Sequence, residues 1–510
     1  MIFCQPGFCY VNIFASFHRL FAVLLLGFAS GLPLALTGQA MQAWLSVEGV
    51  DVATIGFLGL VGVPYTFKFL WAPLMDRFEP PWLGRRRGWL VLSQLALAGM
   101  LWWMADISPK LTPWLFAMAA LGVAFLSASQ DVVVDAYRTD VLQPRERGLG
   151  ASMSVFGYRL AMILSGGVAL IWAEQWQSWA AVYRTMAGVF AVTALISLLT
   201  LPRATGAVRP LGSDPARELL GFLAMLLGVL GGALLARGVL IWLGLSPESP
   251  DKWVQLLFVL AGIALALPLG WLAARLARFE TLNRSLGSFF EQPGAAAFLL
   301  LIVLYKLGDA FAGSLSTPFL IQGMAFTQAE VGIVNKIIGI WLTLFGAVLA
   351  GVLMLRLSLF QALMGFGSLQ LLSNFGFYAL AIQGKDAWGS VVLPPFDLGL
   401  VALDHESQID ILLMTAIGFE NISSGMGTAA FVALLMGLCS HKYTATHYAL
   451  LSALAAVGRI YVSPVSGVLS VSLGWPAFFL VSVVAALPGL LMVWWMRDAI
   501  ASMENRRDPS

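Results

Sequence analysis

The stretch SASQDVVVDAYRTD, Ser127 to Asp140, gathers the chain's most chemically loaded side chains. Asp131, Asp135 and Arg138 recur at i, i+4 and i+7, which on a helix stacks them along one face with Ser127 one turn earlier and Gln130 beside them. The stretch follows an apolar run, Pro113 to Leu126, long enough to be most of a membrane span. A carboxylate near mid-bilayer costs about 2.5 to 3.5 kcal/mol, so two on one face point to a wet cavity or to cationic partners. The chemistry such groups do is ionic recognition and proton carriage. The alternative is that the helix emerges into the cytoplasm at Asp135, leaving Arg138 and Asp140 in a solvated loop.

Other polar groups fall inside apolar runs. Lys68, Arg159, Arg237, Lys306, Lys336 and Arg459 are cations there, joined by Asp309, Asn335, Glu420 and Asn421. Facing lipid, this set would cost on the order of ten kcal/mol or more, so its members must face one another or water. We expect acids to meet Arg or Lys across a central cavity. Local alternatives exist: Lys68 and Arg237 can snorkel, Glu420 can be hydrated near the surface, and Lys306 and Asp309, at i and i+3, can neutralise each other. Arg159 and Arg459 can hold structural ion pairs. Gln39 and Gln42 add hydrogen-bonding capacity, and Tyr158 beside Arg159 could contact a sugar. No phosphate loop, HExxH or GxSxG stands in a credible context. Cys4, Cys9 and Cys439 have no paired spacing and the four histidines lie outside or at the margins of the apolar runs, so neither a metal nor a cofactor is expected.

These groups need a bundle to position them. The chain has 510 residues, 59% hydrophobic and 11% charged, against roughly 25% charged in a soluble domain. It reads as an all-α polytopic membrane protein. Runs of about 20 apolar residues fall near 21–45, 53–75, 88–105, 112–136, 150–172 and 180–201, then 218–243 and 253–277, then 295–321, 330–355, 359–382, 409–438, 445–471 and 475–496, about fourteen in all. The organisation expected is a six-helix half over 1–201, a linker with two extra helices over 202–293, and a second six-helix half over 294–510. Arginines crowd alternate connections: Arg19, Arg85 to Arg87, Arg138, Arg145, Arg147, Arg203, Arg275 and Arg356 on one side, against Lys110, Arg184, Lys252 and Lys385 on the other. That asymmetry predicts cytoplasmic termini. A net charge of +2 gives no reason to expect nucleic acid.

The halves look duplicated. ATIGFLGLVG from Ala53 matches AEVGIVNKIIG from Ala329, and GYRLAMILSGG from Gly157 matches VGRIYVSPVSG from Val457, aligning Arg159 with Arg459 and Gly167 with Gly467. A parallel duplication of this kind is the architecture of major facilitator transporters, whose site lies between the halves near the midplane. The loop APLMDRFEPPWLGRRRGW resembles their signature at Asp76, Arg77 and Gly84 to Arg87. It departs at Ala72 and Pro73 and in the extra residues before Gly84.

Taken together, GFASGLPLALTGQAMQAW, TFKFLWAPLMDR, SASQDVVVDAYRTDVL, GYRLAMILSGG, LYKLGDAFAGSLSTPFL, EVGIVNK, GMGTAAFVALLM and ALLSALAAVGR resemble the AmpG muropeptide permeases over roughly 20–201 and 295–470. The resemblance implies a monomeric, proton-driven inner-membrane importer of N-acetylglucosaminyl-anhydro-N-acetylmuramyl peptides, embedded in the lipid bilayer. The proton gradient would take the place of a cofactor. A muropeptide bears sugars and carboxylates, so Lys306, Lys336, Arg159 and Arg459 would meet its acids, and Gln39, Gln42, Gln130, Asn335 and Asn421 its sugar or amide groups. Asp131 or Asp309 would carry the proton. Two rivals stand beside this reading. Acetyl-coenzyme A transporters share a similar Gln-Asp-x-x-x-Asp feature, and a membrane-embedded sugar transferase would need acidic catalytic residues in an outer loop, for which the loop 383–408 offers Asp397, Asp404, His405 and Glu406.

Overall fold

A backbone crossing hydrocarbon must satisfy its own N–H and C=O groups, which selects helices for these apolar runs. The computed structural model describes residues 6–68, 71, 75, 79–80, 83–142, 147–202, 215–279, 294–354, 356–394, 396–397, 402–403, 406–438 and 444–505, and the side chains of Lys336 and Arg459 lie outside that description. Among the described residues, ten helical stretches are long and apolar enough to cross a membrane. Five precede residue 201, two are Leu219–Trp242 and Lys252–Leu276, and three are Ala296–Gly323, Gln328–Leu353 and Trp475–Trp495. The other four expected runs are also helical, but broken or polar in the middle. Residues 53–75 begin as Val52–Leu58, tighten into a 3-10 turn at Gly59–Gly62 and resume as Val63–Phe67. Leu359–Gln383 buries Gln370 and Asn374, Ile411–Leu438 carries Glu420 and Asn421, and Thr444–Leu473 contains Pro464.

The expectation of an all-helical chain needs one amendment. Two short antiparallel ribbons are present, β1 (Ser390–Leu393) with β4 (Ser407–Asp410) and β2 (Phe396–Asp397) with β3 (Ala402–Leu403). Asp410, fully buried, accepts hydrogen bonds from the backbone N–H groups of Asp386 and Leu413 and so ties this ribbon to the helix that follows. Of the signature loop, Asp76 and Arg77 lie outside the described residues. Gly84 takes a positive φ of 76° and Arg85 opens the helix Arg85–Ala105.

Charge pairing divides the bundle into two ends. At the arginine-rich end Arg86 meets Asp140 at 3.0 Å, and the Tyr137 hydroxyl donates to the Pro202 carbonyl at 2.9 Å. At the opposite end three of the four sparse cations find an acid: Arg184 with Asp106, Lys252 with Asp51 at 3.3 Å and Lys385 with Glu330 at 3.0 Å. The main apolar core packs Trp44 against Phe116, Trp179 and Tyr183 in the first half, and Phe319 against Phe377 and Phe479 in the second. The inserted helices Pro215–Trp242 and Lys252–Leu276 lie side by side, glycine to glycine, and turn most of their leucines outward as a lipid-facing surface would require.

Candidate functional site

Between the halves lies a cavity of about 550 Å³. The first half contributes Gln39, Gln42 and Tyr65 to its wall, and the second Lys306, Asp309 and Glu420. Lys306 owes its place to a break in the chain: the helix Ala295–Tyr305 stops there and Leu307–Ser314 begins after it. The break falls within the span-length stretch Ala296–Gly323, and Asp309, one turn after it, is at the middle of that stretch. Interrupted helices at the midplane are where transporters of this architecture hold charged substrates.

Lys306 is well supplied. Its Nζ lies 3.4 Å from the Asp309 carboxylate, 3.2 Å from the Thr428 hydroxyl and 5.5 Å from the centre of the Phe431 ring. The lysine side chain is 16% exposed and the aspartate 29%, so both can be reached from the cavity while neither is fully solvated. An ammonium on an aromatic face with one carboxylate partner can exchange that partner for a substrate carboxylate.

A second charged group lies in the first half. Asp131 and Asp135, on the helix Pro113–Val141, flank Lys68 at 3.8 and 3.9 Å, and Arg138 reaches back to Asp135 at 3.3 Å. The i, i+4, i+7 spacing thus produces the expected ladder. Asp135 is 58% exposed and Asp131 19%, so the two carboxylates have different surroundings. The buried Oδ1 of Asp131 accepts no hydrogen bond, and the Ser30, Tyr65 and Ser127 hydroxyls are likewise buried without one. Tyr65 joins this polar knot to the wall of the cavity.

The remaining candidates are dispersed. Gln42 donates to the Ser314 carbonyl across the halves at 2.9 Å. Gln130 is fully buried, both amide atoms lacking partners, and is not part of the cavity wall. Arg159 is half-buried, with its Nη1 4.0 Å from the sulfur of the cavity residue Met162, and Tyr158 beside it is half-buried as well. Asn335 is buried in a π-helical turn, Gly332–Ile338. Asn421 accepts from the Thr343 hydroxyl at 2.8 Å and donates to the Ile417 carbonyl at 2.9 Å, so its amide joins two helices. Lys336 and Arg459 stand on helices, with side chains outside the described residues.

The expectation that acids pair with cations across the cavity is not met among the described pairs. Lys68 with Asp131 closes within the first half and Lys306 with Asp309 within the second. Neighbouring helices of one half, and residues one turn apart, are simply closer than the two walls of a cavity this wide. Asp131 is paired with Lys68 and not with Arg159. Sequence reasoning also missed Thr428, which meets Lys306 from 122 residues away and has no local signal to mark it.

One end of the cavity is shut. Gln322 donates to the carbonyls of Ser46 at 3.0 Å and Val50 at 2.9 Å, and Glu174 accepts from the backbone N–H of Ala329 at 2.8 Å. These bonds, with Gln42 to Ser314, join the halves at the end opposite the arginines.

Comparison with known proteins places these features. The family model described as acetyl-coenzyme A transporter 1 matches residues 19–176. An anhydromuropeptide permease of Escherichia coli (strain K12) is 42% identical over 492 residues, covering 96% of this chain and 82% of the relative. A putative transporter AmpG 4 of Rickettsia conorii is 27% identical, covering 95% of this chain and 97% of its own. Among solved structures, a point mutant of the peptide transporter POT superposes with a TM-score of 0.65 at 15% identity, covering 95% of each chain. The D-xylose-proton symporter gives 0.55 at 12%, covering 94% of this chain and 97% of that one. The fold is therefore the major facilitator fold of a multi-pass membrane protein.

Proposed function

This chain belongs to the family of anhydromuropeptide permeases, and we propose that it carries anhydro-muropeptides into the cell across the inner membrane, driven by the proton gradient. The arginine-rich end then faces the cytoplasm and the sealed end the periplasm. The observation that carries the reading is the Lys306–Asp309 pair in the wall of the midplane cavity.

The pair supplies a coupling mechanism. A muropeptide carboxylate that takes Lys306 leaves Asp309 without its cation, and an uncompensated carboxylate in this setting gains by binding a proton. Protonation of Asp309 in turn frees Lys306 for substrate. Each event favours the other, which is the linkage that a symporter needs. Gln39 and Gln42 stand on the facing wall for sugar hydroxyls and amides. Its mid-membrane position favours Asp309 as carrier over Asp131, whose partner Lys68 belongs to the same half. We read the working unit as a monomer, since both halves of the cavity come from one chain.

Vesicles with an imposed proton gradient test this. Labelled anhydro-muropeptide should accumulate, and Asp309→Asn should abolish accumulation while sparing substrate counterflow, with Asp131→Asn measured beside it. Accumulation by Asp309→Asn at the parental level would reject Asp309 as carrier. The match of residues 19–176 to an acetyl-coenzyme A transporter model supports a second reading, another large polar anion as cargo. Competition decides it: excess acetyl-coenzyme A should leave muropeptide uptake unchanged.

A further inference from the structure

Asp309 has a second face. Behind it, away from the main cavity, is a chamber of about 10 Å³ lined by Tyr305, Asp309, Gln370 and Asn374 among apolar neighbours. That is the room of about one water molecule. Gln370 and Asn374 are i and i+4 on the helix Leu359–Gln383, so both turn toward the chamber from one face. Gln370 is 8% exposed and Asn374 3%. The Gln370 Nε2 is buried without an acceptor, which is unfavourable for an amide donor unless the chamber supplies one. The Tyr305 hydroxyl is already committed, donating to the Leu363 carbonyl at 3.1 Å. A glycine makes room for the glutamine: a Cβ at Gly427 would overlap the Gln370 carboxamide.

We propose that Gln370 and Asn374 hold one water against the Asp309 carboxylate, making Gln370 a positioning residue of the proton-coupling step. The inference rests on the coupling role of Asp309 proposed above. Gln370 lines the chamber and its buried amide N–H lacks an acceptor, so the occupant that satisfies it is a water and not a metal cation. That water accepts from Gln370 and donates to Asp309. The hydrogen bond steadies the carboxylate once its proton has left, before Lys306 returns to it. The other charged or titratable groups near Asp309 are Lys306 and Tyr305 on its own chain segment and Glu420 on the same wall of the cavity. The helices Leu359–Gln383 and Trp475–Trp495 present amides and apolar groups to the chamber. The helix Thr444–Leu473 carries Arg459, whose side chain lies outside the described residues.

The test is the pH profile of gradient-driven uptake in vesicles for Gln370→Leu, Asn374→Leu and Gly427→Ala, with counterflow as the measure of folded protein. Loss of the donor disfavours the charged carboxylate, so the alkaline limb of uptake should move up by about one pH unit in Gln370→Leu, the equivalent of one hydrogen bond. Gly427→Ala should reproduce the shift by displacing the Gln370 side chain, and it decides the matter if the leucine variant fails to insert. A lowered rate with an unmoved limb in Gln370→Leu, or in Gly427→Ala if the leucine variant does not insert, would reduce Gln370 to packing and overturn the proposal. Asp309→Asn separates the two claims. If it still accumulates substrate, the carrier assignment fails; if it loses accumulation while neither Gln370→Leu nor Gly427→Ala moves the limb, the water station alone fails.

Discussion

Gly56 lies against Gly467 so closely that a Cβ on the first would come within 2.8 Å of the Cα of the second. The same contact recurs with the halves exchanged, because a Cβ on Gly332 would lie 2.8 Å from the Gly167 carbonyl oxygen. The internal repeats pair Gly56 with Gly332 and Gly167 with Gly467. Two symmetry-related crossings therefore close the end of the cavity opposite the arginines, and backbone contact of this intimacy needs glycine on both sides.

A side chain at either crossing should wedge that end open. In Gly467→Val or Gly332→Val, a reporter cysteine at Ser314 should react several-fold faster with an impermeant thiol reagent applied from the periplasmic side, and uptake should fall. Parental labelling in both variants would mean that the crossings do not form the seal.

Lys306 and Asp309 should behave as a unit. Lys306→Gln leaves a midplane carboxylate without its cation, a change on the order of 3 kcal/mol or more, and should lower both expression and uptake. Adding Asp309→Asn should restore folded protein, measured by size-exclusion yield, without restoring accumulation. Equal yields for the single and double variants would show that the pair is not coupled energetically.

Asp51 makes acid sensitivity measurable outside the membrane. Burial alone would push its carboxyl up, but hydrogen bonds from the Thr54 hydroxyl and backbone N–H, with the Lys252 ammonium at 3.3 Å, hold it below the usual carboxylate range. A depressed folded-state value means that the stability it contributes is fully present above about pH 4 and is lost as pH falls through the folded value. Thermal unfolding in detergent should show a modest drop on the acid side. Asp51→Asn should lower stability at neutral pH and flatten that acid limb, whereas an unchanged slope would assign the acid sensitivity elsewhere.

The proposed orientation rests on the arginine asymmetry. A cysteine replacing Arg86 should be shielded from an impermeant reagent in outer-permeabilised cells, while one replacing Trp388 should be labelled. Labelling of both or the reverse pattern contradicts the proposed topology.

Sequence alone determined the class of molecule, because apolar runs of span length leave the backbone no alternative to helix. It also determined the ladder of Asp131, Asp135 and Arg138, since contacts one turn apart are local. The duplication was legible for the same reason, as short motifs such as ATIGFLGLVG and AEVGIVNKIIG keep their glycines in register. Partners across the bundle were decided only by tertiary structure. Lys306 finds Thr428 from 122 residues away, and nothing in GMGTAAF marks that threonine apart from its neighbours. Asn421, polar and inside a span, was legible as a candidate but not as a helix-joining amide, because its partner Thr343 is 78 residues distant. The cavity itself depends on where two glycine crossings bring the halves together and where they part. Periodicity reports which face of a helix is polar, while packing decides what that face meets.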